Sequence, residues 1–79
     1  MFNLVLICNE EKIFDGNVSA VKIETKNGPV TILPKHQAYM SKISKNLIYT
    51  PSGEDHKSID ISDGFVYTNG SVCFAVVDK

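Results

Sequence analysis

The sequence of 79 residues lacks any run of about 20 apolar residues, the length that a membrane-spanning helix needs. Its opening apolar stretch, Phe2 to Cys8, is much shorter and is interrupted by Asn3. The stretch has neither the basic leader nor the small-residue cleavage site of a signal peptide. The sequence therefore predicts neither a membrane span nor a signal peptide.

An excess of positive charge is also missing, since eight Lys and Arg stand against nine Asp and Glu for a net charge of −1. Nucleic-acid binders and proteins of anionic membranes use a positive field for attraction. We therefore expect neither a nucleic-acid partner nor direct insertion into lipid.

Closely spaced cysteines are absent. Cys8 and Cys73 lie in apolar, strand-like runs near opposite ends of the chain, not at the C-x-x-C spacing of a zinc or redox pair. We predict two reduced, buried thiols. A disulfide between them is the alternative, because terminal strands can be neighbours in a sheet.

Recognisable catalytic motifs are missing as well. The sequence contains no H-x-x-x-H, no G-x-S-x-G and no phosphate-cradling glycine loop. His56 lies in a polar turn, where a solvated residue is expected, and His36 is far from it in sequence. A zinc site from Cys8, Cys73, His36 and His56 would need a coincidence of folding. We expect no catalysis, no cofactor and no metal.

The composition that is present is that of an ordinary globular domain, with 43% hydrophobic and 22% charged residues. A chain of 8.7 kDa is too short for two domains, so residues 1–79 are expected to form one. A domain of this size is only marginally stable, which favours a binding partner.

Turn signals recur about every 8–12 residues, with β-branched and aromatic runs between them, and this rhythm predicts an all-β fold. The signals are Asp15-Gly16, Asn27-Gly28-Pro29, Lys45-Asn46, Pro51-Ser52-Gly53 and Asn69-Gly70.

Four local features predict details of the sheet. Asn69-Gly70 suits a type I′ turn that joins two strands. The alternation of apolar and polar residues along the chain shifts by one position near Ala20, which predicts a β-bulge. Pro29 should open a strand or lie on an edge. In residues 57–62, Ile59 and Ile61 alternate with polar residues, which predicts one wet face.

Two stretches, 4–7 and 72–77, are apolar at consecutive positions. This pattern predicts central strands that are buried on both faces. Residues 36–43 present an alternative to the all-β interpretation, because His36, Tyr39, Met40 and Ile43 follow helical spacing. The helix ranks second, since no N-cap precedes it and Pro34 stands close by.

Three segments resemble the epsilon subunit of F-type ATP synthases, which corresponds to delta in mitochondria. Residues 28–36, Gly-Pro-Val-Thr-Ile-Leu-Pro-Lys-His, resemble the family's G-E-F-G-I-L-P-G-H. Residues 11–18 resemble E-K-x-x-F-x-G-x-V, and residues 62–66 with 72–78 resemble S-G-G-F-L and V-T-V-L-A-D. The segments match in order and spacing over nearly the whole chain.

The resemblance implies a flattened β-sandwich of mostly antiparallel strands that acts as a rotor subunit of the central stalk. Such a subunit binds the gamma subunit and contacts the membrane c-ring, so that proton-driven rotation is coupled to ATP synthesis without catalysis of its own. The implied location is peripheral, on the cytoplasmic face of the bacterial inner membrane. The family's C-terminal two-helix domain has no counterpart in the sequence, so we expect neither an inhibitory hairpin nor ATP binding.

By resemblance, the residues expected to face gamma are His36, Tyr39, Met40 and Ser41, although Tyr39 and Met40 could equally be core residues. The loop expected to face the c-ring is Lys26, Asn27, Gly28 and Pro29. Pro29 stands where the family has an acid, and Lys35 stands where it has a glycine. Lys26 is therefore expected to make the loop's polar contact with reversed sign.

A second interpretation from another class is a five-stranded barrel that binds single-stranded nucleic acid. Its stacking residues would be Tyr39, Tyr49, Phe65 and Tyr67. The balance of charge opposes it, because such grooves are basic.

Overall fold

The computed structural model describes residues 1–35 and 37–79, and these residues form strands, turns and loops only. The strands are β1 (Phe2–Cys8), β2 (Glu11–Thr25), β3 (Gly28–Ile32), β4 (Tyr39–Pro51), β5 (Lys57–Thr68) and β6 (Val72–Asp78). Their order in the sheet is β1-β6-β5-β4-β2-β3, and β1 also pairs with β2 and so closes the sheet. The prediction of an all-β fold is confirmed. The part of the chain that is described has no helix long and apolar enough to cross a membrane.

The core is built by alternation along the strands. In β1, Phe2, Leu4, Leu6 and Cys8 are buried, while the residues between them are half-buried. Because side chains alternate between the two faces of a strand, every second residue points into the closed sheet. The buried hydrophobic residues are Phe2, Leu4, Leu6, Cys8, Val18, Val21, Ile23, Ile32, Ile43, Leu47, Tyr49, Ile61, Val66, Cys73, Ala75 and Val77.

The register between neighbouring strands shifts at several positions, and two of the shifts bear on features that the sequence predicted. Val18 pairs with Pro51 and Ala20 with Thr50, which makes Ser19 an extra residue and confirms the predicted bulge. The second irregularity lies in β4, where Lys45 has a φ of 72°. The predicted turn at Lys45-Asn46 is wrong, because the conformation that suggested a turn is used for a bulge inside a continuous strand.

The predicted turn at Asp15-Gly16 is also wrong, because β2 runs through it. The chain reverses earlier, at Asn9 and Glu10, which have φ values of 51° and 68°. Gly16 serves packing instead: a Cβ atom at this position would lie 3.3 Å from the ring of Phe14. The turns predicted near Asn27-Gly28 and Ser52-Gly53 are present.

The predicted hairpin between β5 and β6 is confirmed, but its turn is not type I′. That turn requires positive φ at both central residues, and of Asn69 and Gly70 only Gly70 has one, at 95°. The side-chain oxygen of Asn69 instead accepts hydrogen bonds from the backbone N–H groups of Ser71 and Val72, each at 3.0 Å. The Asn69 side chain therefore stabilises the turn together with a backbone hydrogen bond, which the Asn69 N–H donates to the Val72 carbonyl at 3.2 Å.

Three further predictions concern Pro29, residues 57–62 and residues 36–43. Pro29 lies near the start of β3, which is an edge strand, as predicted. Ile59 and Ile61 face inward and their polar neighbours are exposed, also as predicted. The helical alternative for residues 36–43 is wrong for the residues described, because β4 begins at Tyr39 and pairs with β5. His36 lies outside the described residues.

Both cysteines are free and buried, which confirms the predicted thiols. Cys73 lies opposite Leu4 on β1, four residues before Cys8. The two cysteines are thus roughly 13 Å apart at about 3.3 Å per residue, beyond the reach of a disulfide. Burial raises the pKa of the Cys73 thiol to about 12, because a thiolate cannot be solvated there.

Candidate functional site

Four large hydrophobic side chains of β5 and β6 point outward into solvent. They are Phe65, Tyr67, Phe74 and Val76, and their exposed fractions are 42%, 38%, 43% and 51%. Tyr67 lies directly opposite Phe74, and Phe65 lies directly opposite Val76. Burial of residues 72–77 on both faces was predicted and is wrong: β6 has a strand on each side, but no second layer covers its outer face.

The same surface continues onto the neighbouring strands. Met40 of β4 lies opposite Tyr67 and is exposed. On the other side, Val5 and Ile7 of β1 lie opposite Phe74 and Val76 and are half-buried. We call this surface the apolar face; it consists of Val5, Ile7, Met40, Phe65, Tyr67, Phe74 and Val76.

Charged residues lie at the margins of the apolar face. Lys42 of β4 is opposite Phe65, and Asp63 of β5 is opposite Asp78 of β6, one outward position beyond the Phe65–Val76 pair. All three charged residues are exposed. The face therefore has a cationic side and an acidic end.

Two further charged residues, Lys12 and Asp15 of β2, lie at the margin formed by β1 and β2. Asp15, opposite Val5, accepts hydrogen bonds from the ammonium of Lys12 at 3.1 Å and from the amide of Asn3 at 3.2 Å. Lys12, followed by Asn3, lowers the pKa of the Asp15 carboxyl. The charged and polar side chains at this margin are thus paired with one another.

The four residues predicted to face gamma are not all placed on this surface. His36 lies outside the described residues, and Tyr39 packs against the core. Ser41 lies on the opposite side of β4 from Met40, and its hydroxyl donates to the Lys42 carbonyl at 2.9 Å. Of the predicted residues that the structure describes, Met40 lies on the apolar face.

Sequence reasoning did not predict a protein interface at Phe65, Tyr67, Phe74 and Val76, and it named Phe65 and Tyr67 only as stacking residues of the nucleic-acid alternative. The consecutive apolar residues 72–77 were the available signal. A strand is apolar at consecutive positions when its own fold buries both faces, or when one face binds a partner. Sequence alone does not distinguish these two cases.

The loop predicted to face the c-ring is the turn between β2 and β3. Lys26 and Asn27 are exposed at its tip, and Gly28 has a φ of 109°, which favours glycine. The hydroxyl of Thr25 accepts from the Asn27 N–H at 3.2 Å and donates to the Gly28 carbonyl at 2.7 Å. The loop is therefore a short hairpin tip with fixed backbone geometry.

A broad, open groove of about 1020 Å³ shares none of its lining residues with the apolar face. Among its lining residues are Ile13, Tyr49, Ile59 and Asp60. Its lining does not combine a nucleophile with a histidine or cysteine base. In the described part of the chain, no three His, Cys, Asp or Glu side chains are grouped as a metal site requires.

Comparison with known proteins gives a consistent result. A family model described as "ATP synthase, Delta/Epsilon chain, beta-sandwich domain" matches residues 1–79. The sequence is 30% identical over 80 residues to the ATP synthase epsilon chain of Thioalkalivibrio sulfidiphilus, covering 98% of this chain and 56% of the relative. It is 28% identical over 61 residues to that of Alkalihalophilus pseudofirmus, covering 77% and 46%. The chain spans about half the length of these curated relatives.

Two solved structures share the fold. One chain of the Euglena gracilis mitochondrial ATP synthase superposes with a TM-score of 0.85 at 23% identity, over 99% of this chain and 49% of its own length. One chain from the central stalk and c-ring of the Tetrahymena thermophila mitochondrial ATP synthase gives a TM-score of 0.82 at 17% identity, over 99% and 63%. At these identities the likeness establishes the flattened β-sandwich architecture.

Proposed function

Because the chain belongs to the ATP synthase delta/epsilon family and forms its β-sandwich domain, we propose that it is a non-catalytic subunit of the central stalk. It binds the gamma subunit through the apolar face and contacts the c-ring through the loop Lys26–Pro29. Rotation of the ring is thereby passed to the shaft, and proton flow is coupled to ATP synthesis.

The observation that carries this proposal is the apolar face. Monomeric proteins scatter exposed hydrophobic residues singly, whereas a contiguous patch marks an interaction surface. Aromatic and methionine side chains are enriched at the centres of protein interfaces. The apolar face has both properties, since its most exposed members are Met40, Phe65, Phe74 and Val76.

The remaining predicted contacts belong to the same proposal. Tyr39 and Ser41 lie on the side of β4 away from Met40, so we propose that they support the strand while Met40 touches gamma. His36 stays a predicted gamma contact. Gly28 and Pro29 shape the loop, and the exposed Lys26 and Asn27 supply its polar contacts to the ring.

A closed sheet suits a mechanical role. Each of β1, β2, β4, β5 and β6 is hydrogen-bonded to a strand on both sides. The β1–β2 pairing ties the first strands to the rest of the sheet, so strain at one surface is carried by a continuous hydrogen-bond network. Such a body transmits force between two contacts without a bond-making step.

Co-purification tests the proposal most simply. A tagged copy of this chain is co-expressed with the gamma subunit of the same organism and isolated through the tag. We expect gamma to be recovered in equal amount after washing at moderate salt. Recovery of the tagged chain alone would contradict the proposal.

A second candidate function is single-stranded nucleic-acid binding, which is favoured by the exposed rings of Phe65, Tyr67 and Phe74. Stacking platforms of this kind bind bases when cations surround them. Lys42, Asp63 and Asp78 instead give the margin of the face an acidic excess. Titration with oligo(dT) at low salt tests this candidate, and we expect no binding.

The location of the chain follows from the same proposal. We propose a peripheral position on the cytoplasmic face of the bacterial inner membrane, within the synthase complex. The expected lack of ATP binding stays a prediction, and calorimetric titration of the protein with ATP tests it.

A further inference from the structure

The outer face of the β5–β6 hairpin consists of three successive side-chain pairs. Tyr67 faces Phe74, Phe65 faces Val76, and Asp63 faces Asp78. The first two pairs are apolar and the third joins two carboxylates. The ladder therefore changes from apolar to acidic along one direction of the sheet.

Among the residues that the structure describes, neither the Asp63 nor the Asp78 carboxylate takes part in a salt bridge. In the described residues the ion pairs join Lys12 to Asp15 and Lys57 to Glu54. The Asp63 carboxylate accepts the Gly64 N–H at 2.9 Å, while Asp78 is bonded to Ser62 through its backbone carbonyl. Like charges that face each other across strands destabilise a sheet, so this pair is unfavourable in the free chain.

An exposed cation, Lys42, lies on the β4 side of the same ladder. Lys42 is opposite Phe65, and its ammonium takes part in neither of the two ion pairs. The aromatic centre is thus flanked by a positive charge on one side and by two negative charges at one end. A surface with this arrangement is not symmetric under rotation about its centre.

We infer that the apolar face accepts the gamma subunit in one orientation, with a basic side chain of gamma between Asp63 and Asp78 and an acidic one beside Lys42. The inference rests on the proposed function and adds the charge pattern of the partner. The apolar contacts supply affinity, while the charges set the orientation and speed the encounter. A cation between the two carboxylates also removes their mutual repulsion on binding.

The test compares charge-neutralising variants in binding to the purified gamma subunit. Asp63→Asn/Asp78→Asn and Lys42→Gln are measured by surface plasmon resonance at two ionic strengths. Asp55→Asn is the matched control, because this exposed acid lies in the β4–β5 turn, away from the apolar face. Circular dichroism and thermal unfolding establish that each variant is folded.

We expect the double variant to associate about tenfold more slowly at low salt and to lose most of the salt dependence of its association rate. Lys42→Gln should show a smaller change in the same direction, and Asp55→Asn should stay within twofold of the wild type. Unchanged association by both face variants, with normal binding of the wild type, overturns the orientation alone. Failure of the wild type to bind gamma overturns the proposed function and this inference with it.

Discussion

Tyr67 and Phe74 lie directly opposite each other on neighbouring strands, yet both side chains point into solvent. Side chains that face each other across neighbouring strands contribute to the stability of a sheet. The Tyr67–Phe74 pair also leaves apolar area in water, which is favourable to bury against another surface. The pair is part of the sheet and part of the proposed interface at the same time.

The first prediction concerns the packing inside the β5–β6 hairpin. A Cβ atom on Gly64 would lie 2.8 Å from Val77 Cγ1 and 3.1 Å from Ile43 Cγ1. Because both neighbours are buried, Gly64→Ala should lower the free energy of unfolding by about 1–3 kcal/mol. Chemical denaturation measures this.

Ser58→Ala is the control for Gly64→Ala, since Ser58 is exposed on the same strand. It should change the free energy of unfolding by no more than about 0.5 kcal/mol. Equal stability of the two variants would contradict the packing described for Gly64.

The second prediction concerns Cys73. Burial raises the pKa of its thiol to about 12 from the ordinary value of 9.0. The thiol of the unfolded chain ionises first as the pH rises, so the stability that depends on this group is complete below pH 9 and is lost between about 9 and 12. Denaturation curves across this range should show a smaller alkaline loss in Cys73→Ala than in the wild type.

Thiol labelling gives an independent readout for Cys73. At pH 8 the folded protein should leave Cys73 unmodified by a thiol-specific reagent, and unfolding in denaturant should release it. Rapid labelling of Cys73 in the folded chain would contradict its burial.

The third prediction concerns the loop between β2 and β3. Cysteine placed at Lys26 or Asn27 should crosslink to a cysteine in the polar loop of the c-ring, because both side chains are exposed at the tip. The control is cysteine at Asp55, in the β4–β5 turn. Crosslinking from Asp55 with none from either loop position would discard the proposed ring contact.

Local chemistry predicted some parts of the fold well. Asn69-Gly70 marked a hairpin because its residues suit a tight reversal, and the phase break at Ala20 marked a bulge because side-chain alternation has a strict period. Pro29 marked an edge strand because it lacks a backbone donor. Each of these signals is determined by a few neighbouring residues.

Other parts depended on contacts distant in sequence. Asp15-Gly16 resembles a turn, but β2 continues through it, and Phe14 packs against the glycine and against Tyr49, at 4.8 Å between ring centroids. Asn9 and Glu10 carry the reversal although glutamate is a weak turn signal. Residues 72–77 are apolar on both faces, and only the tertiary structure shows which face is left uncovered.

The central claim is that the apolar face binds the gamma subunit, and one binding experiment tests it most directly. Calorimetry compares the wild type with Phe65→Ser/Phe74→Ser, and Ile13→Ser serves as control because Ile13 is an exposed apolar residue that lines the separate groove. Loss of two aromatic contacts should weaken gamma binding at least about 30-fold, or about 2 kcal/mol, while the control binds as the wild type does. Wild-type affinity in a folded Phe65→Ser/Phe74→Ser variant would contradict the account.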